Sequence, residues 1–363
     1  MSSQNFENYL LKSLIQDIDT NNGFSNSKNF SEFEKKFNNS SNSLRDSLTD
    51  SSSGSDQDTL AMSPESNNLS FTHQEILISL SNQKNAIHLQ STIREMNPFE
   101  ISNFIKAIQG DIPNIMMDKN GNYLCSDLFK VCTPFQRISI LKQIFNVFDI
   151  IAIHEYGTHP TQTLIELAKT AEEIMLITSA LSNQNKILNV AFNPNGSYVI
   201  QKIIMNIPEQ NRQNFNFYLL NIIPYLSQDM YGVCTAKKFV TFSQSPFLVQ
   251  EIIKIVMSNF FAIANNQYGN YLIQYILEIW WNKKELFYIK KIIENYFCQL
   301  SSNQFASHIA ESYINMLNDK EKQFFLSSLL KSGIYFLLLK DKYGVYVMNK
   351  LSSNSVKMQK IKL

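Results

Sequence analysis

Apolar residues recur at three- and four-residue intervals along much of the chain, as in "QRISILKQIFNVF" (residues 136–148) and "LVQEIIKIVMSNFFAI" (residues 248–263). That spacing puts them on one side of a helix, so each run predicts an amphipathic helix with a buried stripe. An isolated run near the start, "FENYLLKSLIQDI", has Phe6, Leu10, Leu14 and Ile18 near helical spacing, which suits a segment that folds against a partner. No apolar run approaches the roughly 18 residues of a membrane span, and "MSSQNFENYLLKS" lacks the basic start and apolar core of a secretory signal. A soluble, intracellular protein with no membrane partner is expected.

Prolines mark where helices begin. Pro98, Pro134, Pro208 and Pro246 stand in "NPFE", "TPFQ", "IPEQ" and "SPFL". Proline suits the first helical turn, where N–H groups have no intrahelical partner, and Asn, Thr or Ser just before it can act as the cap. A new helix is predicted at all four.

The same helices repeat. Six of the ten glycines open similar segments: "GNYLCS" at Gly121, "GTHPTQ" at Gly157, "GSYVIQ" at Gly196, "GVCTAK" at Gly232, "GNYLIQ" at Gly269 and "GVYVMN" at Gly344. Their separations are 36, 39, 36, 37 and 75, and "ASHIAE", with Ala306 in place of Gly, splits the last into 37 and 38. A weaker copy, "NAIHLQ" from Asn85, lies 36 residues before Gly121. Eight units thus cover about residues 71–363, each a helix from the Gly slot, a turn, a second long helix and a brief return. Units of this kind stack into an α-solenoid with a concave face.

After Gly269 come Asn270, Tyr271 and Gln274. On a helix the first and the last share a face, and the middle one projects about 100° round beside them. Two amides next to an aromatic plane suit a nucleic-acid base, because amides can hydrogen-bond its edge while the ring stacks between it and the next.

This combination of trio and period resembles the Pumilio (PUF) family of RNA-binding proteins. The resemblance covers about residues 71–363 and implies an all-α fold: a right-handed α-solenoid of eight three-helix Pumilio-type repeats, preceded by a disordered tail. It further implies that single-stranded RNA is read one base per repeat through such trios. Carried over in chain order, the trios are Ala86, Ile87 and Gln90; Asn122, Tyr123 and Ser126; Thr158, His159 and Gln162; Ser197, Tyr198 and Gln201; Val233, Cys234 and Lys237; Asn270, Tyr271 and Gln274; Ser307, His308 and Glu311; Val345, Tyr346 and Asn349. By the resemblance Asn with Gln selects uracil, Ser with Gln adenine, and Ser with Glu guanine. RNA running antiparallel to the protein would then read any-G-U-any-A, followed by an A-U-A-like stretch. A carboxylate suits guanine's two N–H donors, and an amide suits a base that offers both donor and acceptor.

Some repeats depart from the pattern. Val233 with Lys237 and Val345 with Asn349 leave repeats five and eight without a readable pair, and Ile87 and Cys234 are poor stackers. Pro160 lies so near the start of its helix that its missing N–H would have had no partner. Asn349 is followed by 14 residues, fewer than the C-terminal cap usual in the family, and a solenoid end without a cap is expected to expose apolar surface, which puts the order of repeat eight in question. Lys202, Lys238 and Lys350, each just after a third trio position, are candidates for phosphate contacts.

Composition separates the tail from the repeats. Residues 1–70 hold 17 Ser and 11 Asn, too polar to offset chain entropy by burial, so this stretch is expected to be disordered. They also carry 5 basic and 10 acidic residues, which leaves 27 basic against 21 acidic groups over residues 71–363. A mildly basic body is compatible with a polyanion partner. The four cysteines form neither a C-x-x-C pair nor a dense framework, and reduced thiols in a packed interior are expected, with no metal and no cofactor.

No carboxylate pair, metal cluster, P-loop or nucleophile motif appears at usable spacing, so the chain is not read as an enzyme. A HEAT- or armadillo-like protein scaffold is the main rival, but it has no reason to repeat an Asn/Ser–aromatic–x–x–Gln/Glu pattern. A nucleolar role in ribosome biogenesis keeps the fold with weaker selectivity. The reading favoured is a cytoplasmic regulator that binds mRNA 3′ UTRs, recruits protein effectors and affects mRNA stability or translation, with no DNA partner expected.

Overall fold

The computed structural model describes residues 71–353, so the Phe6–Ile18 segment, the rest of the Ser/Asn-rich stretch and residues 354–363 lie outside the described residues. Among the described residues every regular element is helical. None of these helices is long and apolar enough to cross a membrane.

Eight front helices carry the eight trios: α1 (Gln83–Glu95), α2 (Gly121–Val131), α3 (Thr158–Leu167), α4 (Gly196–Asn206), α5 (Gly232–Thr241), α6 (Gly269–Trp280), α7 (Ser307–Met316) and α8 (Gly344–Ser353). Each packs on the next, from α1 against α2 through to α7 against α8. Behind them Pro98–Ala107, Pro134–Ile144, Ala171–Ala180, Gln213–Leu226, Pro246–Ser258 and Phe287–Asn295 stack in the same order. Short helices such as Ile112–Met117, Phe148–Ile153 and Phe260–Ala264 lead back to the front row. The result is an α-solenoid of three-helix repeats. Its cohesion comes from apolar stripes: α6 buries Leu272, Ile273, Ile276, Leu277 and Trp280, each contributing about 1.5–3 kcal/mol of transfer free energy.

Three of the four proline signals mark helix starts. Asn97 and Thr133 close capping boxes with Glu100 and Gln136, and the Ser245 hydroxyl accepts the N–H of Leu248. Pro208 differs: it precedes a 3-10 turn at Glu209–Asn211, and the helix begins only at Gln213. The residue before Pro208 is Ile207, which has no side-chain oxygen to cap a helix. Repeats three and seven start their back helices without proline, on capping boxes made by Thr170 with Glu173 and by Asn318 with Glu321.

Two buried arginines tie neighbouring repeats together. Arg137 donates to the carbonyls of Cys132 (2.6 Å) and Leu167 (3.5 Å), at the ends of α2 and α3, and its Nε pairs with Glu173 at 2.7 Å. Arg212 does the same for α4 and α5, donating to Ile207 (3.0 Å) and Phe242 (3.1 Å) and also to Asn216. A cation at helix C-termini satisfies carbonyls that have no intrahelical donor and complements the helix dipole.

Repeat eight is helical through the last described residues. Helix α8 runs to Ser353 and buries Val347, Met348 and Leu351. Apolar exposure is nonetheless concentrated nearby, at Phe324, Leu330, Phe336, Leu337 and Leu339, and the back helix Asp319–Lys331 buries only Leu329.

Candidate nucleic-acid interface

The start of every front helix is shaped by one residue three places before the Gly slot. Asp118, Asn193, Asp229, Asn266, Asn303 and Asp341 each accept two backbone N–H groups, those of the slot residue and the residue before it, at 2.7–3.0 Å. His154 makes the pair through Nδ1 and Asn82 through Oδ1, so all eight repeats share the turn. In repeat one the bond caps a helix that starts two residues before the slot, at Gln83. The N–H of Gly344, then that of Tyr343, outweigh burial and hold the Asp341 carboxyl below its usual range.

Where the slot holds glycine, close approach explains it, while repeats one and seven carry Asn85 and Ala306 there. A Cβ on Gly121 or Gly269 would lie 2.3 Å from the carbonyl oxygen of Ile115 or Ile263.

This frame gives the three trio positions three different environments. The first is buried in repeats one to seven: Ala86, Asn122, Thr158, Ser197, Val233, Asn270 and Ser307. The second is exposed in all eight repeats: Ile87, Tyr123, His159, Tyr198, Cys234, Tyr271, His308 and Tyr346. The third is half-buried in repeats one to seven, at Gln90, Ser126, Gln162, Gln201, Lys237, Gln274 and Glu311, and exposed at Asn349. The four tyrosines are all more than half exposed, so they are not core side chains with a wet hydroxyl. Cys234, expected inside, is exposed because it occupies this outward slot, whereas Cys125 and Cys132 are buried and Cys298 is half-buried. Burial pushes the Cys132 thiol up to about 12.

The first and third positions interact rather than stand side by side at the surface. Asn270 is 1% exposed, and its amide NH2 donates to the carbonyls of Asn266 and Gln267, both at 3.0 Å. Its oxygen accepts from Gln274 Nε2 at 2.7 Å. In repeat three Gln162 Nε2 donates to the Thr158 hydroxyl at 3.0 Å. Ser197 and Ser307 each donate to a preceding carbonyl, of Pro194 and Gln304. In repeat two Ser126 is too short to reach across: its hydroxyl donates to the Asn122 main-chain carbonyl, and Asn122 Oδ1 is left buried without a partner.

Repeats seven and eight form a cleft of about 530 Å³ lined by Ser307, His308, Glu311 and Tyr346, together with Gln304 and Tyr343, which the trio pattern did not single out. One carboxylate and two exposed rings thus share its lining. Of the three lysines singled out for phosphate, Lys202 is paired with Glu166, and Lys238 lies 6.0 Å from the centre of the Phe242 ring. Lys237 Nζ lies 4.9 Å over Tyr275. No group of His, Cys, Asp and Glu suited to a metal ion occurs among the described residues.

The repeat geometry has known counterparts. A family model for the "Pumilio-family RNA binding repeat" matches residues 111–145, 186–214 and 259–279, which fall on repeats two, four and six. The chain carries Pumilio-family repeats. Pumilio homolog 12 of Arabidopsis thaliana is 28% identical over 225 residues, covering 61% of this chain and 37% of that protein. Pumilio homolog 11 of the same plant is 30% identical over 200 residues, covering 52% and 34%. The chain spans about a third of the length of the curated relatives it matches. Among solved structures, the Puf4 RNA binding domain bound to the HO endonuclease RNA 3′ UTR recognition sequence has a TM-score of 0.68 at 22% identity, over 77% of this chain and 87% of that one. Yeast Puf5p bound to AAT2 RNA has a TM-score of 0.67, also at 22% identity, over 76% and 82%. At that identity the likeness shows the fold, so the Pumilio repeats here are a solenoid of the same architecture.

Proposed function

We propose that the front face binds single-stranded RNA in a sequence-specific way, one base per repeat, and that the protein regulates the stability or translation of mRNAs carrying the matching 3′ UTR element. The observation that carries this is the uniform register of the trios: every second position is exposed, and the third is half-buried beside it in seven repeats. Exposed Tyr and His side chains at a repeat's spacing supply stacking platforms, each worth roughly 1–3 kcal/mol per base by alanine substitution. The groups between them can address base edges. In the cleft of repeats seven and eight Glu311 would accept from the two N–H donors of guanine while the base lies between His308 and Tyr346. The two solved structures named above, of Puf4 and yeast Puf5p, hold bound RNA, which supports the same ligand class here.

On this reading binding is the activity, and protein effectors, recruited in the cytoplasm, supply the consequence for the mRNA. Selection of bound RNAs from a random pool, followed by sequencing, tests it. The expected result is an enriched element with a fixed G-U step, the G facing repeat seven and the U repeat six. A pool without an enriched motif would favour a protein-binding scaffold, and a G-to-A change that leaves binding unaltered would reject the register.

A further inference from the structure

The amide of Gln274 is held from two sides, and one side belongs to the next repeat. Asn270 uses both of its N–H groups on the carbonyls of Asn266 and Gln267, which can only accept. Its free oxygen must therefore face Gln274, and Gln274 must turn its nitrogen toward Asn270, as found at 2.7 Å. On the opposite side the Ser312 hydroxyl of repeat seven donates to Gln274 Oε1 at 3.0 Å. One N–H and one lone pair of Gln274 remain side by side for a ligand.

Orientation decides what that pair recognises. Rotating the amide by half a turn exchanges donor and acceptor. The Watson–Crick edges of uracil, with an N–H beside carbonyl acceptors, and of adenine, with an amino donor beside a ring acceptor, differ by the same exchange. We propose that Ser312 is a positioning residue for repeat six: Asn270 sets the orientation of the Gln274 amide, and the Ser312 hydroxyl holds the oriented amide in place, so that the next repeat helps set the preference for uracil. This rests on the RNA-reading function proposed above.

The neighbouring junction shows the same relation with different chemistry. Tyr275 occupies in repeat six the place that Ser312 occupies in repeat seven, one residue past the third trio position. Its ring lies beneath Lys237, the third trio residue of repeat five, and its hydroxyl is bonded to Thr241 at 2.7 Å. Support of the third trio side chain by the following repeat therefore occurs at two successive junctions. In contrast, the Gln201 side chain of repeat four makes no hydrogen bond to the described residues, and the residue in the supporting place is Lys238.

The test is competition binding with RNAs that differ only at the base facing repeat six, for the parent, Ser312→Ala and Ser312→Thr. The base facing repeat seven is varied in parallel as a control, because Ser312 adjoins Glu311. Loss of one hydrogen bond to the reading amide should reduce the uracil-over-adenine ratio at repeat six about three- to tenfold in Ser312→Ala. Ser312→Thr, which keeps the hydroxyl, should stay within about twofold of the parent, and the guanine preference at repeat seven should be unchanged in both. An alanine variant that keeps the full uracil ratio overturns the inference. So does one that loses preference equally at both steps, which would mark Ser312 as ordinary packing. A parent with no base preference at repeat six overturns the RNA-reading function first, and this inference with it.

Discussion

In repeat five Asp229 accepts the N–H groups of Tyr231 and Gly232, and in repeat six Asn266 accepts those of Tyr268 and Gly269. A side chain on either glycine would come within 2.6 Å or 2.3 Å of a carbonyl oxygen, of Leu226 or Ile263. On these matched frames the trios differ throughout. Repeat six presents Asn270, Tyr271 and Gln274, with the two amides bonded to each other. Repeat five presents Val233, Cys234 and Lys237, with the ammonium over a ring of the next repeat. The frame is fixed by side-chain bonds to the backbone and by close approach, and neither involves the outward groups. A repeat of this array can therefore keep its place in the stack whatever its trio carries.

The largest expected effect comes from attacking the frame of repeat five. Arg212→Ala removes the donor shared by Ile207 and Phe242 and leaves both carbonyls in a buried site, which should lower stability by about 3 kcal/mol in urea unfolding. An unchanged midpoint would mean that the stack alone holds repeat five. Next come the reading groups: Tyr271→Ala should weaken RNA binding by roughly 1–3 kcal/mol, whereas Cys234→Ala should change it by less than about 0.5 kcal/mol, with neither altering the unfolding midpoint appreciably. Equal effects on binding would erase the contrast between the two repeats.

The smallest effect is one of pH. Burial alone would raise the Glu209 carboxyl, but the Ser245 hydroxyl, the N–H groups of Gln244 and Ser245, and Arg212 outweigh it and hold it below its ordinary value near 4.5. Because the folded value is the lower one, the stability from these contacts is complete above that ordinary value and is lost as pH falls through the folded one. Glu209→Gln should therefore flatten the acid limb of a urea-midpoint profile taken from neutral pH to about pH 3. A limb as steep as the parent's would place the titrating group elsewhere.

Repeat length, the Gly slot and the eight trios were legible in the sequence because each leaves a local, periodic trace. The residue three before the slot has the same period and went unread, since Asp118, His154 and Asn193 look like ordinary loop polar residues until their bonds are seen. The burial of Asn270 was also hidden. Helical spacing shows that it neighbours Gln274 but not that it lies behind it. Pro208 was misread as a helix start because a proline in a turn and a proline at a first helical position look alike without a cap. Ser312 and Gln274 are 38 residues apart, and no helical period links them. Nothing local marks Arg137 and Arg212 in the sequence, and only the packed helix ends show why they are buried.

Those two arginines bear on how the array comes apart. In a stack where each repeat touches only its neighbours, stability divides into terms for single repeats and terms for the junctions between them. Arg137 strengthens the junction of repeats two and three, and Arg212 that of four and five, each by bonding to both sides. Such pairs open and close together more readily than they separate. Under mild denaturant repeats two and three, and repeats four and five, would therefore melt as pairs, with junctions that lack such a clamp, that of repeats three and four among them, opening first.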